Sequence, residues 1–474
     1  MEGPSAKLVL GLLAALGINA WVCWYFFRRI SGHILLTLVA IFYLLQVFWF
    51  FICVIVSGAT ALSNYIQSVA NFNETPFRVS LGLTITPAIS LAVARLLSTR
   101  GAKPSNLLET LNAQRVPSFE IMLCIFATGT LLYFLASQMA TSLLEARYLA
   151  AFLAYSHYSF WMAPVLIGLC WRRYRRPLVV FACSAIPAGM MALAGGSRYL
   201  LFLPAAYLAC GIWWTLGGKQ KVLTAGVGVL LALPVFHFSG VIETVRKDGS
   251  RDIERELLAR LSEVLQMGLD ATQSGSISDG VSKGLGRMVM WCNVAALYYS
   301  PEQVSFRGFG DFWEEIRFIN RSTLFVDDAR DFLDQMVDAD YGMGTARLYG
   351  FSISAGGTVP VPILADGWSR AGLMGAVAYS VVSCLCWGLA EIFIRRKFLN
   401  QPQLALALIT ILASSAYERM GTYGLVYNLR YLAMQTFLWV GLALALAGFS
   451  GYLQITSIGS RRRINGGTAS VDQR

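Results

Sequence analysis

The sequence predicts an all-α, polytopic membrane protein with about eleven transmembrane helices and one large external helical loop. Three observations lead there. The chain of 474 residues is 56% hydrophobic and 14% charged, with a mean hydropathy of +0.56. That is too little charge for a soluble chain of this size. Apolar runs of bilayer-spanning length recur along the whole chain. The Lys/Arg clusters that join those runs all fall on one side of the membrane.

The apolar runs cover 6–27, 34–56, 79–97, 118–138, 150–171, 177–194, 199–216, 222–239, 367–392, 402–417 and 432–452. The first is too long for the core of a secretory signal and lacks a small-x-small cleavage site, so it reads as a retained span. Four parts follow. An N-terminal membrane bundle of about eight spans occupies 1–239, and a large loop occupies 240–366. A C-terminal bundle of about three spans fills 367–453, and 454–474 is a tail.

The basic clusters are Arg28-Arg29; Arg100, Lys103 and Arg115; Arg172 to Arg176; Lys219 and Lys221; Arg395-Arg396-Lys397; and Arg461-Arg462-Arg463. The positive-inside bias makes their side the cytoplasm. The N-terminus and the large loop are then external and the C-terminus is cytoplasmic. The net charge of +11 follows from this topology. Between Gly240 and Ser354, twelve Lys/Arg face eighteen Asp/Glu, whereas the rest of the chain carries 26 against 9. The basic surplus therefore meets anionic lipid and implies no nucleic-acid partner.

Inside the spans, charge is nearly absent. Arg95, Glu120 and Glu391 sit at cytoplasmic span ends, and Glu391 stands four residues before Arg395, a spacing that allows a pair. Only His157 approaches a midplane position, and it reads as a neutral, hydrogen-bonded residue. Ion-coupled carriers place ionisable groups at that depth, so a proton- or sodium-driven transporter is disfavoured. The nine cysteines form no framework: eight lie in apolar runs, and Cys292 is alone in the loop. No Cys/His spacing suits zinc.

The loop opens on an amphipathic helix. Ser250 or Asp252 supplies the cap, and Ile253, Leu257, Leu258, Leu261, Val264, Leu265 and Leu269 supply the apolar face. It either packs within the loop or lies on the outer interface. The run from Arg287 to Tyr299 is too short to span and is expected to dip or pack onto the bundle. Asp338 and Asp340 form an Asp-x-Asp pair that reads as a solvated loop feature, so no metal site is assigned.

Arginines on the external side need an explanation, because they run against the positive-inside bias. They are Arg198, Arg370, Arg419 and Arg430, with Arg78, Arg147, Arg287 and Arg347 as further members. The span before Arg419 reaches only about 24 Å against a hydrocarbon core of about 30 Å. Glu418 and Arg419 are therefore expected below the outer surface, and Arg198 likewise. One reading is pairing with the acidic loop. The other is capture of an anionic head group, since guanidinium forks match phosphate oxygens and stay charged. No Walker loop or dinucleotide fingerprint is present.

These residues carry a resemblance. The step Gly195-Gly196-Ser197-Arg198 is similar to a Gly-Gly-Ser/Thr-Arg step of the bacterial O-antigen repeat-unit polymerases, a group that also includes the lipid-linked O-antigen ligases. Arg287 to Trp291, Phe306-Arg-Gly-Phe-Gly and Arg317-Phe-Ile-Asn-Arg-Ser resemble that family's loop pattern. Asn320 departs from it, standing where proline is commoner. Tyr349 to Ser354 and Ala365 to Gly375 resemble its acidic, glycine-rich lead-in to the next span, and Glu418-Arg-Met-Gly with Arg430 resembles its final turn. The loop from Gly240 to Ser354 holds no histidine, which favours a polymerase over a ligase within the resemblance.

What the resemblance implies is a metal-independent, membrane-embedded glycosyltransferase of the C type in the bacterial inner membrane, without a cofactor. Its donor and acceptor are undecaprenyl-pyrophosphate-linked oligosaccharides, and a flippase and a chain-length regulator are its implied partners. Arg198, Arg419 and Arg430, then Arg287 and Arg370, are the expected pyrophosphate ligands. Asp366 and Glu418 are both candidates for the base, and either could instead pair with its neighbouring arginine. The rivals are a polysaccharide ligase, a flippase or transporter, and a non-catalytic assembly partner. The last leaves the sunken arginines unexplained.

Overall fold

The structure, a computed structural model, describes residues 5–29, 33–63, 76–99, 162–171, 198–217, 220–221, 289, 291–298, 306, 308–310, 312 and 362–397. It also describes isolated positions at 266, 405–406, 408–410, 412 and 433. All but Ala433 belong to one compact unit, Met1–Leu429; Ala433 belongs to a second, Arg430–Arg474. Among the described residues every element is a helix: α1 Ala6–Arg29, α2 Ile34–Ser63, α3 Pro76–Gly82, α4 Ile85–Thr99, α5 Met162–Cys170, α6 Arg198–Thr215, α7 Trp291–Tyr298 and α8 Ile363–Lys397. Four described stretches are long and apolar enough to cross a membrane: Ala6–Arg28, Ile34–Ile55, Phe77–Ser98 and Ile363–Arg396. The expected spans at 118–138, 177–194 and 222–239 lie outside the described residues, and 432–452 is described only at Ala433.

Helix α1 shows why the chain belongs in lipid. Ser5 starts it, its hydroxyl accepting the Leu8 amide at 3.3 Å. Leu8, Leu12, Ala15, Val22 and Phe26 are buried along one stripe, while Leu10, Leu13, Trp21, Trp24 and Phe27 are exposed. A helix that is apolar on its outward face as well needs an apolar solvent. The protein is accordingly membrane-embedded, and its described elements are all helical. Its core joins Leu8 and Leu12 of α1, Val47 and Phe50 of α2, and Val79 of α3 to Val294 and Leu297 of α7 and Leu364 and Trp368 of α8.

One end of the bundle is fastened by Glu391. Its carboxylate is fully buried and accepts the amides of Ile34 and Leu35 at 2.7 Å each. Arg395 donates to it at 2.6 and 3.0 Å. The i,i+4 pair expected from the sequence is thus present, with a second duty: α2 takes its N-terminal cap from α8. His33, beside the cap, bonds Ser98 of α4 at 3.1 Å. Arg95 hydrogen-bonds the Tyr25 hydroxyl, with its guanidinium 4.6 Å from that ring. The start of α2 and the C-terminal parts of α1, α4 and α8 therefore share one end, as the sequence-derived alternation requires.

Two expected spans are broken. The run 79–97 is α3 followed by a turn at Leu83–Thr84 and then α4. Pro76 occupies the first position of α3, where its missing N–H costs nothing. Pro87 lacks the N–H that would bond residue 83, and its ring crowds that carbonyl, which favours a break at this point. Leu297 of α7 rests on the bare face of Gly82.

The run 367–392 starts four residues earlier, at Ile363, and is divided at Ala371 (φ −149°, ψ 34°) and Gly372 (φ 57°, ψ −141°). Gly372 sits in a region that glycine alone occupies readily. The half-helix 363–370 folds back on 373–397 until the backbones of Gly367 and Gly375 touch. Eight residues of unbroken helix would hold them about 12 Å apart. Leu364 and Ala365, at the end of the expected loop, are therefore part of the bundle core.

Candidate functional site

The fold-back of α8 creates the site. Asp366, Trp368, Ser369 and Arg370 all ride on the half-helix, and all four are buried. The Arg370 Nε donates to Asp366 Oδ1 at 3.1 Å, with side chains only 1% and 9% exposed. The i,i+4 spacing aligns the two side chains on one face. Ser369 donates to the Asp366 carbonyl at 2.7 Å, which keeps that hydroxyl satisfied inside the bundle.

A piece of the large loop is hooked onto the same tip. Gly308 donates its amide to the Arg370 carbonyl at 3.1 Å, and its own carbonyl receives Arg370 Nη1 at 3.4 Å. Gly308 makes this approach with φ +73°, a conformation costly for any residue with a Cβ. The Arg370 guanidinium lies 5.6 Å from the Phe312 ring and 5.8 Å from the Tyr379 ring. Phe306 closes over Gly372, whose absent Cβ would fall 2.8 Å from the Phe306 Cζ. Arg78 of α3 completes the cluster, its guanidinium 5.0 Å from the Trp368 ring.

The described tip thus gathers two guanidinium groups and one carboxylate at the end of the bundle away from Glu391. Such a surplus attracts an anion, and burial strengthens the attraction. Arg370 is already engaged by Asp366, Gly308 and two rings, so its geometry is that of a post supporting the loop. Of the residues expected from the sequence, the structure brings together Asp366 and Arg370 and adds Arg78 to them. Arg198 is the first residue of α6; its side chain lies outside the described residues. So do Arg287, Glu418, Arg419 and Arg430, the further arginines Arg147 and Arg347, His157, and the loop acids Asp338 and Asp340. Among the described residues no group of three His, Cys, Asp or Glu side chains converges as a metal site.

What sequence reasoning missed here is the partner set of Arg370. Phe312, Tyr379 and Trp368 carry no signal of their own in an aromatic-rich chain. Gly308 and Gly372 were legible only as glycines, not as the contacts that require them. No family profile, curated protein or solved structure matches the chain.

Proposed function

We propose that the protein is a polysaccharide repeat-unit polymerase of the O-antigen type, joining undecaprenyl-pyrophosphate-linked oligosaccharides at the periplasmic face of a bacterial inner membrane. The observation that carries the reading is the hairpin tip. There a buried Asp366–Arg370 pair and the Trp368-stacked Arg78 gather at the end of the bundle away from Glu391, with the loop segment at Gly308 tied to them.

In this reading the acceptor hydroxyl attacks the anomeric carbon of the donor glycan. A carboxylate takes the hydroxyl proton, the bond to the pyrophosphate breaks, and arginines hold the leaving oxygens. Asp366 is held at 3.1 Å by Arg370 and serves as a positioning residue with it, so the proton goes to Glu418. Arg198, Arg419 and Arg430, with Arg287, bind the pyrophosphate. Arginine supplies the neutralising charge without a metal ion.

The test is a deletion strain and a purified protein. Loss of the gene should reduce the surface polymer to single repeat units. Unattached lipid-linked polymer would instead indicate a ligase and overturn the proposal. In proteoliposomes with lipid-linked repeat units, polymer should grow in excess EDTA. The Arg198→Ala, Arg419→Ala and Arg430→Ala proteins should each lose roughly thirty- to several-thousand-fold in rate, the equivalent of about 2–5 kcal/mol. Lysine at those positions should restore only part of it. Reporter fusions at Gly217 and Arg395 should report cytoplasm, and at Gly275 and Gly421 periplasm.

A further inference from the structure

Helix α1 carries an outward stripe that ends in a cation. Ile18, Trp21, Tyr25 and Arg28 recur at intervals of three, four and three residues, so they line one face of the helix. Ile18 and Trp21 are 40% and 53% exposed, Tyr25 is half-buried and Arg28 is exposed. Helix α4 adds exposed Ala92 and, one turn nearer the end of the span Phe77–Ser98, exposed Arg95. The Arg95 guanidinium bonds the Tyr25 hydroxyl and lies 4.6 Å from that ring, which seats α4 beside the stripe. The Arg28 guanidinium lies 5.4 Å from the Trp24 ring.

Two cations thus stand together at the Glu391 end of the bundle, and neither pairs with an acid. Among the described residues the carboxylate at this end is that of Glu391, which is fully buried and taken up by Arg395 and the α2 amides. A guanidinium has five N–H donors. Arg95 uses one on Tyr25, and Arg28 has no ion pair among the described residues. Each ring holds the plane of its guanidinium and leaves N–H edges for oxygen acceptors. The C-terminal carbonyls of α1 and α4 favour cations here, but they call for no exposed apolar stripe leading up to them.

We infer that the α1–α4 face binds an anionic glycerophospholipid, its phosphate diester on Arg28 and Arg95 and its acyl chains along Trp21, Ile18 and Ala92. Cations at the rim of a bilayer attract an anionic headgroup. A zwitterionic headgroup brings a cation of its own toward the arginines and gains less. Because Arg28 and Arg95 belong to different helices, the bound lipid bridges α1 to α4. The site stands whatever substrate the Asp366–Arg370 tip receives.

Native mass spectrometry of the full-length protein in detergent tests this. Phosphatidylglycerol should bind roughly 30-fold more tightly than phosphatidylcholine of the same chain length, since each nearby cation contributes about fivefold. Glycerol 3-phosphate carries the charge without the chains and should bind far more weakly than phosphatidylglycerol. Arg28→Gln/Arg95→Gln should bring the two lipids to equal affinity. Arg28→Gln alone, which breaks no ion pair, should lose about fivefold, and it carries the test if the double variant does not fold. Arg396→Gln removes an exposed charge at the same end and should leave the preference nearly intact. Equal binding of the two lipids by wild type overturns the inference. So does an Arg396→Gln loss as large as that of Arg28→Gln, which would mean a diffuse field and no site. Glycerol 3-phosphate binding as tightly as the lipid would make this a site for a free phosphate, and overturns the inference equally.

Discussion

Replacing Arg370 by methionine separates a supporting role for the hairpin pair from a catalytic one. The substitution keeps most of the side-chain volume and removes the charge. It strands the Asp366 carboxylate, 9% exposed at the side chain, without its cation; breaking a buried pair this way costs about 3–5 kcal/mol. The Gly308 carbonyl also loses its donor, at a weaker 3.4 Å, for about another 1 kcal/mol. Arg370→Met should therefore melt on the order of 5–10 °C below wild type. The double variant Asp366→Asn/Arg370→Met removes both charges together. A buried pair exchanged for neutral residues of like volume is often close to neutral, so about 1 kcal/mol should remain, chiefly from the Gly308 carbonyl. Thermal melting in detergent and polymer formation in a deletion strain are measured side by side. The double variant should recover most of the stability and retain polymer formation. A single variant that melts like wild type would refute the pairing argument. A double variant that folds normally but makes no polymer would move Asp366 from support to chemistry.

Three other predictions concern the rest of the fold. Glu391→Ala leaves the Ile34 and Leu35 amides and the Arg395 guanidinium without their acceptor, and should cost about 3–5 kcal/mol; Glu391→Ala/Arg395→Ala should melt higher than the single variant, and the reverse order would argue against a buried pair. Burial, and then the charge of Arg395, hold His33 below its ordinary pKa. The unfolded chain therefore takes up a proton first as pH falls through about 6.5, so stability is full above that value and declines below it. His33→Gln should remove this acid-side loss, and a melting profile as steep as wild type would rule the residue out. Helices α5 and α6 touch at Gly168 and Gly211, where a Cβ on either would fall on a backbone carbonyl of the other helix. Gly168→Ala and Gly211→Ala should each cost about 1–3 kcal/mol, and unchanged melting in both would show that the helices do not meet there.

The parts of the fold that were legible are those written by one-dimensional hydrophobicity. The runs 6–27 and 34–56 became α1 and α2, starting where expected and ending two and seven residues later, because a bilayer requires long apolar helices and little else. The run 199–216 became α6, Arg198–Thr215. What could not be read was where apolar helices break. The α3–α4 turn turns on Pro87 and Thr84, and the α8 fold-back on Gly372, and an apolar-run reading takes each only as part of a span or its edge, not as a change of chain direction. The Asp366–Arg370 spacing was visible as i,i+4, whereas its tie to Gly308 spans 62 positions and depends on tertiary folding alone. Glu391 was read as a local partner of Arg395 for the same reason: its larger role faces a helix near the other end of the chain.

That last contact has a temporal side. The carboxylate that completes the start of α2 is 357 residues downstream of Ile34. At about 5–20 residues per second of synthesis, the ribosome needs roughly 20–70 s to deliver it after Ile34 has emerged. During that interval α2 is inserted with its leading amides uncapped, and His33 lacks the Arg395 charge that later bears on it. The N-terminal helices are therefore not a finished unit that later ones decorate. Their assembly closes only when the end of α8 reaches the same membrane face, so a nascent chain stalled before Glu391 should present an open, protease-sensitive junction between α1 and α2. Quality control that reads that junction would be reading whether the hairpin bearing Asp366 and Arg370 has arrived.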